Sequence, residues 1–596
     1  MKNFNSTKKM NLKTFLVTLA FVGFSMSVMA QTTYVITGSG TQFSATKGST
    51  AVSTNRPIQS VINDIKADAS RTACTIQFGN GTNTLNTGEN NITFDGGSSG
   101  TDWGIITLTG KLTSACNGYN KGPIYLNNGV SLNSKAEITG TAGGDFGVTI
   151  YSNTKGTLTV SAGRILSTSA TSAGAIYNTS TGNVNITGGT VEATGTNQGS
   201  AILTSSKAKV SVSGNAVVTS VNTNSLFMGT ICITDGGVSN VCLEITGGTV
   251  ENTATSATAI CNYSTGAVNI SGGTVTSNGD VIRIHGANST IKISGGTVST
   301  KADVGSAIYI ANASSGTTLE VSNGTISASG TDWSHGICIG DLAGGNSTIK
   351  VNGGIIKSSG KYGTIHIKNT ATNLTVTNGT VSATNGTAIF SLGSTAISGG
   401  MLLAQKGYAI DNQGTTSVNI TGGIGFAHGT AVTDVINGLF TVQPVNTAVL
   451  VAWNKAAGTT AYTSSSTKDI YKLPAAATAV WARKGSENGI SVANGAVTGF
   501  IPVAGITVDG VTGIPEVTNN QLKIYLNPSS GELWVSSKES QVKNIQIFDI
   551  YGKMLLHLPS PASQETVIDI SHFARGIYFV KANISTGTVT QKILKR

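Results

Sequence analysis

The sequence predicts an all-β protein: a right-handed parallel β-helix with three strands per coil and an N-terminal capping helix, followed by a small β segment and a C-terminal β-sandwich. Three observations predict it. The first is a repeated phrase. Ile186-Thr-Gly-Gly-Thr-Val191 returns at Ile245, Ile270 and Ile293, with looser copies from Val160, Val212, Val321, Val351, Val376, Ile397 and Ile420, eleven copies at a mean period of 26 residues. A fixed period of this size marks a solenoid, in which each unit buries its apolar side by stacking on its neighbours. The second is strand periodicity. Ala175-Ile-Tyr-Asn178, Ala307-Ile-Tyr-Ile310, Asn183-Val-Asn-Ile186 and Thr290-Ile-Lys-Ile293 alternate with period two, and the Thr-Val after each double glycine adds a third short run. The third is that Ile58 to Ala69 (IQSVINDIKADA) is the one convincing amphipathic helix in the chain.

Residues 1–30 read as an export signal. Lys2, Lys8, Lys9 and Lys13 precede an apolar run from Phe15 to Val28, and Val28-Met29-Ala30 is a small-residue site for cleavage between Ala30 and Gln31. The run is too short to span a membrane, and no later stretch reaches about 18 apolar residues, so no transmembrane span is expected in the mature chain. Loss of those four lysines lowers the formal charge from +10 to +6 on the remaining 566 residues. The other basic residues are scattered, which disfavours nucleic-acid binding along a basic stripe. Charged residues are 11% of the chain, against about 25% in ordinary domains. Ser, Thr, Asn and Gly supply the polar surface instead.

Residues 31–135 are expected to form an N-terminal cap and the opening coils. A β-helix exposes strand edges at its ends, and the helix over Ile58 to Ala69 is placed to cover the first. Thr75-Ile-Gln-Phe78 and Ile105-Ile-Thr-Leu108 read as opening strands.

Residues 136–432 carry the repeats. The Gly-Gly pair supplies a corner that needs a positive φ. Asn178, Asn262, Asn312, Asn369 and Asn412 recur after the first strand and are expected to stack as an internal ladder. Alternation points Ile176, Ile260, Ile308, Ile310, Ile337, Ile339, Ile365 and Ile367 inward. Their neighbours Tyr177, Leu203, Cys232, Cys261, Tyr263, Arg283, His285, Tyr309, Cys338, His366, Lys368 and Phe390 should then form one outward stripe. Cys232 and Cys261 fall in the same column of adjacent coils, at a separation compatible with a disulfide. No CxxC occurs, which argues against zinc and thioredoxin-like sites.

The repeat stops after about Val432. Residues 433–513, with Trp453 and Trp481, read as a β-rich cap or small β domain, and 514–522 as a linker. Residues 523–596 contain Asn527-Pro528 with Gly531, Asp549-Ile-Tyr-Gly-Lys553, Gly576-Ile-Tyr-Phe-Val580 and a basic terminus of Lys592, Lys595 and Arg596. This segment closely resembles the C-terminal sorting domain of the bacterial type IX secretion system, with Leu526 where the family usually has Pro. The resemblance implies handling by the type IX machinery, removal of this domain, and attachment of the remainder to surface lipopolysaccharide or its release.

The central region resembles pectin-lyase-like parallel β-helix surface proteins, a group that includes polysaccharide enzymes and adhesins. The enzyme reading needs paired carboxylates, or a base with a cation. Between residues 160 and 432 acids are sparse and isolated. Ser334-His-Gly-Ile-Cys-Ile-Gly340 followed by His366-Ile-Lys368 is similar to the polygalacturonase pattern, with Asp303 near that family's paired aspartates. His366 stands in place of Arg, however, and the second acid is missing. No cofactor or metal is expected. The expectation is a non-enzymatic surface adhesin, glycan-binding or structural scaffold protein, with ligand contacts on Tyr177, Arg283, His285, Tyr309 and His366, since aromatic faces stack on sugar rings and Arg offers fixed donors. The alternative is a polysaccharide lyase or glycoside hydrolase of the same fold.

Overall fold

A computed structural model describes residues 31–442 apart from short loop segments, a few strands between 448 and 508, and most of 522–595. The export signal, including Ala30, lies outside the described residues, as does Asn312. The described residues fall into two compact units, one holding the solenoid and its N-terminal cap, the other the C-terminal strands.

The first unit is a parallel β-solenoid of about 12 turns. Its first face is a 14-stranded parallel sheet running from Ile92–Asp95 to Ile436–Asn437. The isoleucines assigned inward are fully buried throughout, Ile176, Ile260, Ile308, Ile337 and Ile365 among them. They stand in continuous register columns, for example Ile260 on Ile282 on Ile308 on Ile337 on Ile365. Each fully buried side chain of this kind contributes about 1.5–3 kcal/mol relative to exposure, and an isolated coil would expose every one.

The second and third runs are separate strands in the early coils, as in Leu158–Val160 and Arg164–Ser167. From Val241–Thr255 onward they fuse into single bent strands such as Ala267–Asn278 and Thr290–Thr300. Three strands per coil therefore become two. Register is kept on both sides of the double glycine, Ile270 opposite Ile293 and Thr274 opposite Thr297. The two glycines do different jobs. Gly273 has φ +75°, the left-handed region. Gly272 has no such φ, but a Cβ there would lie 2.3 Å from the Thr246 carbonyl oxygen.

The N-terminal cap is richer than a lone helix. Strands β1 (Thr32–Ser39), β2 (Gln42–Lys47) and β3 (Thr50–Arg56) form an antiparallel meander, and β1 also pairs in parallel with Cys74–Phe78, so the cap continues the solenoid sheet. Helix α1 (Ile58–Ala69) buries Ile58, Val61, Ile62 and Ile65, the i, i+3, i+4, i+7 stripe of an amphipathic helix. Gln59 does the capping. Its Nε2 donates to the Thr93 carbonyl at 3.0 Å and its Oε1 accepts from the Thr93 amide at 2.8 Å. One side-chain amide thus imitates the missing partner of the first strand of the first face. Asp64 accepts from Ser53 and Arg56, and Asp68 from Tyr34 and Lys47, which fixes the helix on the meander.

The expected asparagine ladder does not form. The column through Asn178 continues as Thr204, Ile233, Asn262 and Ile284, so the asparagines are not neighbours. Asn369 lies two positions beyond that column. Each Asn instead closes its own turn: Asn262 Oδ1 accepts from the Ser264 amide at 2.9 Å while Nδ2 donates to the Gly266 carbonyl at 3.1 Å. Asn178 and Asn412 make the same pair of bonds, to Ser180 and Gly182 and to Gly414 and Thr416. Local Asx-type bonding takes up part of each amide, and the bonds that reach a neighbouring coil go to groups other than Asn, Asn262 Nδ2 to Ser289 Oγ at 3.1 Å and Asn412 Nδ2 to the Leu439 carbonyl at 2.8 Å.

In the second unit Leu522–Leu526, Glu532–Ser537 and Glu565–Asp569 form one antiparallel sheet. Met554–Pro559, Val542–Phe548, Gly576–Ile584 and Gly587–Lys595 form another. Buried Ile524, Leu533, Val535, Ile545, Ile547, Tyr578 and Val580 belong to one cluster shared by the two sheets. Among the described residues no helix is long and apolar enough to cross a membrane.

Candidate functional site

The first face carries one side chain per coil between its inward isoleucine column and a second inward column in which Ile alternates with Ser, Thr and Asn. In register the column reads Tyr125, Tyr151, Tyr177, Leu203, Cys232, Cys261, Arg283, Tyr309, Cys338, His366, Phe390 and Asp411. The stripe expected from alternation is therefore continuous. It starts two coils before the first expected member Tyr177, in Ile124-Tyr-Leu and Ile150-Tyr-Ser, which share the Ile-Tyr pattern of Ile176-Tyr-Asn and could have revealed it.

Most of the column is engaged with itself. Tyr151 lies 5.3 Å from Tyr125 and 5.4 Å from Tyr177 between ring centroids, an aromatic ladder up three coils. Arg283 is held on one side by Asp280 at 2.5 Å and lies 4.6 Å from the Tyr309 ring centroid. Asp280 also accepts from the Ser306 amide at 2.8 Å. Burial pushes the Asp280 carboxyl up, against the guanidinium and that amide. His285 stacks on Tyr263 at 4.3 Å with rings 5° from parallel, both two positions past the column.

Five members are not on the surface, Tyr151 at 5% exposure among them. Cys232 and Cys261 have no exposure, and Cys338 and His366 only 4% each. His366 stacks on Phe390 at 4.5 Å and lies 4.6 Å from His335, so it is interior to the cluster. Cys232 and Cys261 are register partners on adjacent coils, and both are fully buried. Burial pushes the Cys232 thiol up to about 12 and raises Cys261 as well.

The sequence motif around His335 is brought together with His366. His335 Nδ1 is 2.8 Å from the Gly363 carbonyl, which can only accept, so Nδ1 carries the proton. The Gly363 amide donates to His366 Nδ1 at 3.3 Å, which places the proton of that neutral ring on Nε2. Burial holds both imidazoles below their usual range, His366 at about 3. Asp303 is apart from this pair, its carboxylate bonded by the Thr331 amide at 2.8 Å. Those bonds keep it below the usual carboxylate range. Among the described residues no group of three His, Cys, Asp or Glu side chains is placed to hold a metal ion.

Two exposed aromatics were missed from the sequence. Trp333 and Tyr362 are 39% and 37% exposed with centroids 4.0 Å apart, and Lys368 Nζ lies 4.9 Å from the Trp333 ring centroid. They precede the alternating runs rather than sit within them, so periodicity gave them no face. The first-face strands lengthen here from three residues in Ile282–Ile284 to seven in Val304–Ile310 and Trp333–Ile339.

The fold and the C-terminal unit together define an exported β-solenoid. Residues 523–596 match the family described as the secretion system C-terminal sorting domain. That domain marks proteins exported to the cell surface or extracellular space by type IX secretion. A search of curated proteins finds no match to the chain. The sorting-domain motifs have structural roles. Asp549 closes its hairpin through Oδ1, which accepts from the Lys553 amide at 2.9 Å, and its own amide donates to the Lys553 carbonyl at 3.0 Å. Tyr578 donates to the Ala574 carbonyl at 2.6 Å, and Lys595 donates to the carbonyls of Ser571 and Phe573. The Asn527-Pro528 opening motif lies outside the described residues.

Proposed function

We propose that the mature protein is a non-enzymatic scaffold of the cell surface, a rod whose solenoid faces serve adhesion or glycan binding. One observation carries this reading: a long, regular solenoid is joined to a type IX sorting domain, with hydroxyl ranks such as Thr249, Thr274, Thr297 and Thr325 in register on its outer surface. After export the N-terminal 30 residues would be removed at Ala30–Gln31, the sorting domain would be cleaved, and the rod would be tethered to lipopolysaccharide or released. Within the expected stripe, Tyr177, Arg283, His285 and Tyr309 are half-buried and would meet a ligand only at their outer edges. His366 would act from beneath, as packing.

A second reading is polysaccharide cleavage, favoured by the approach of His335 and His366 on adjacent coils beside Lys368. Opposing it, both imidazoles are buried and neutral, and Asp303 is committed to Thr331. Incubation of purified protein with a polysaccharide panel separates the two readings. The scaffold reading expects retention without new reducing ends or unsaturated products, and either product would establish the enzyme.

A further inference from the structure

We propose that the widened part of the first face, at Val304, Trp333 and Tyr362, is a platform for a neutral glycan chain lying parallel to the solenoid axis. The inference rests on the glycan-binding reading above and gives it a place, an orientation and a ligand class. Val304 and Trp333 are register partners on adjacent strands, and Tyr362 follows on the next coil against Trp333. All three are exposed, Val304 at 66%. They form an apolar strip over three coils in a solenoid whose outer surface is otherwise mostly hydroxyl and amide. A contiguous strip rimmed by polar groups marks an interaction surface, whereas single exposed apolar residues do not.

The rim decides the ligand. Asp332 and Lys361 form an ion pair at 3.0 Å with 43% and 65% side-chain exposure. Asp303 and Lys368 add one charge of each sign. The charges balance, so the rim offers donors and acceptors to hydroxyl groups without favouring an anion. Aromatic rings with hydroxyl-matching groups at their edges suit a pyranose, which has an apolar C–H face and an equatorial rim of hydroxyls. Coils repeat at about 4.8 Å, close to the advance of one sugar along an extended β-linked chain. A chain along the axis would therefore set one ring against each coil. Beneath the strip, the packed His335, His366 and Phe390 keep the platform rigid, which limits the ordering cost of binding.

The test uses the mature full chain in affinity electrophoresis against hydroxyethylcellulose and mannan, both neutral, and polygalacturonate, which is anionic. Variants are Trp333→Ala, Tyr362→Ala, Trp333→Phe and, as a control in the column outside the expected contacts, Tyr125→Ala, each checked for an unchanged thermal melt. The expected result is retardation by a neutral glycan, weakened at least about tenfold by Trp333→Ala or Tyr362→Ala, largely restored in Trp333→Phe and unaffected by Tyr125→Ala. Retardation that survives both alanine variants overturns the platform while leaving the glycan-binding reading intact. Retardation by polygalacturonate alone overturns the neutral class. If the wild-type chain is retarded by none of the three, and binds nothing on a broad glycan array, the glycan-binding reading and the platform fall together.

Discussion

At the scale of the residue, two positions show how chemistry sets structure here. Gly273 combines φ +75° with a hypothetical Cβ 2.7 Å from the Gly248 carbonyl oxygen. Gly273→Ala should lower stability by at least about 1–2 kcal/mol from the left-handed backbone alone, with the neighbouring clash adding to it. An unchanged denaturation midpoint would contradict the corner assignment. His366 supplies a pH dependence. Its folded value, about 3, is depressed below the ordinary value of 6.5. A depressed histidine adds stability that is full above the unfolded value and is lost as pH falls from about 6.5 toward 3, because the unfolded chain takes up the proton first. Urea midpoints should therefore drop between pH 6.5 and 4, and His366→Phe should flatten that slope. A slope equal to wild type would show that the ring is not buried neutral. The thiols give a third check: after unfolding without reductant, Cys232 and Cys261 should both alkylate, and recovery of a linked peptide would restore the disulfide.

At the scale of the element, the sequence was most legible where periodicity is enforced by packing. The inward isoleucines, the corner glycines and the limits of α1 follow from local rules that the solenoid repeats in every coil. The failures have physical causes. Asn178 and Asn262 look like ladder residues from spacing alone, but each closes its own turn, and spacing does not distinguish the two. Cys338 and His366 alternate outward yet are buried, because the neighbouring rings Tyr309 and Phe390 stand in the same column. Trp333 and Tyr362 lie outside the periodic runs and became visible only when the chain was wound. The cap was half legible: the helix was read, while the β1–β3 meander and the Gln59 bridge to Thr93 were not. Gln59→Ala removes both bonds to that strand edge and leaves its groups without their partner, a loss of about 1–3 kcal/mol. Faster amide exchange in Ile92–Asp95 should accompany it, and unchanged protection there would show that the edge is covered by something else.

At the scale of the whole molecule, the chain joins a solenoid of repeated coils to a C-terminal unit with its own core. The solenoid's stability is a sum over neighbouring coils, so damage in one coil should stay local rather than unfold the rod. The C-terminal unit carries the address. Its motifs hold that unit's turns: Asp549 ties the hairpin and Lys595 ties the final strand to Ser571 and Phe573. If this unit sends the β-solenoid to the cell surface, surface proteolysis of intact cells will show it. The full chain and a version ending at residue 522 would be expressed in a type IX-competent host, then treated with protease before fractionation. The full chain should be digested or released into the medium, while the truncated chain should remain protected in the periplasm. Equal surface exposure of the truncated chain would show that residues 523–596 are not the surface address.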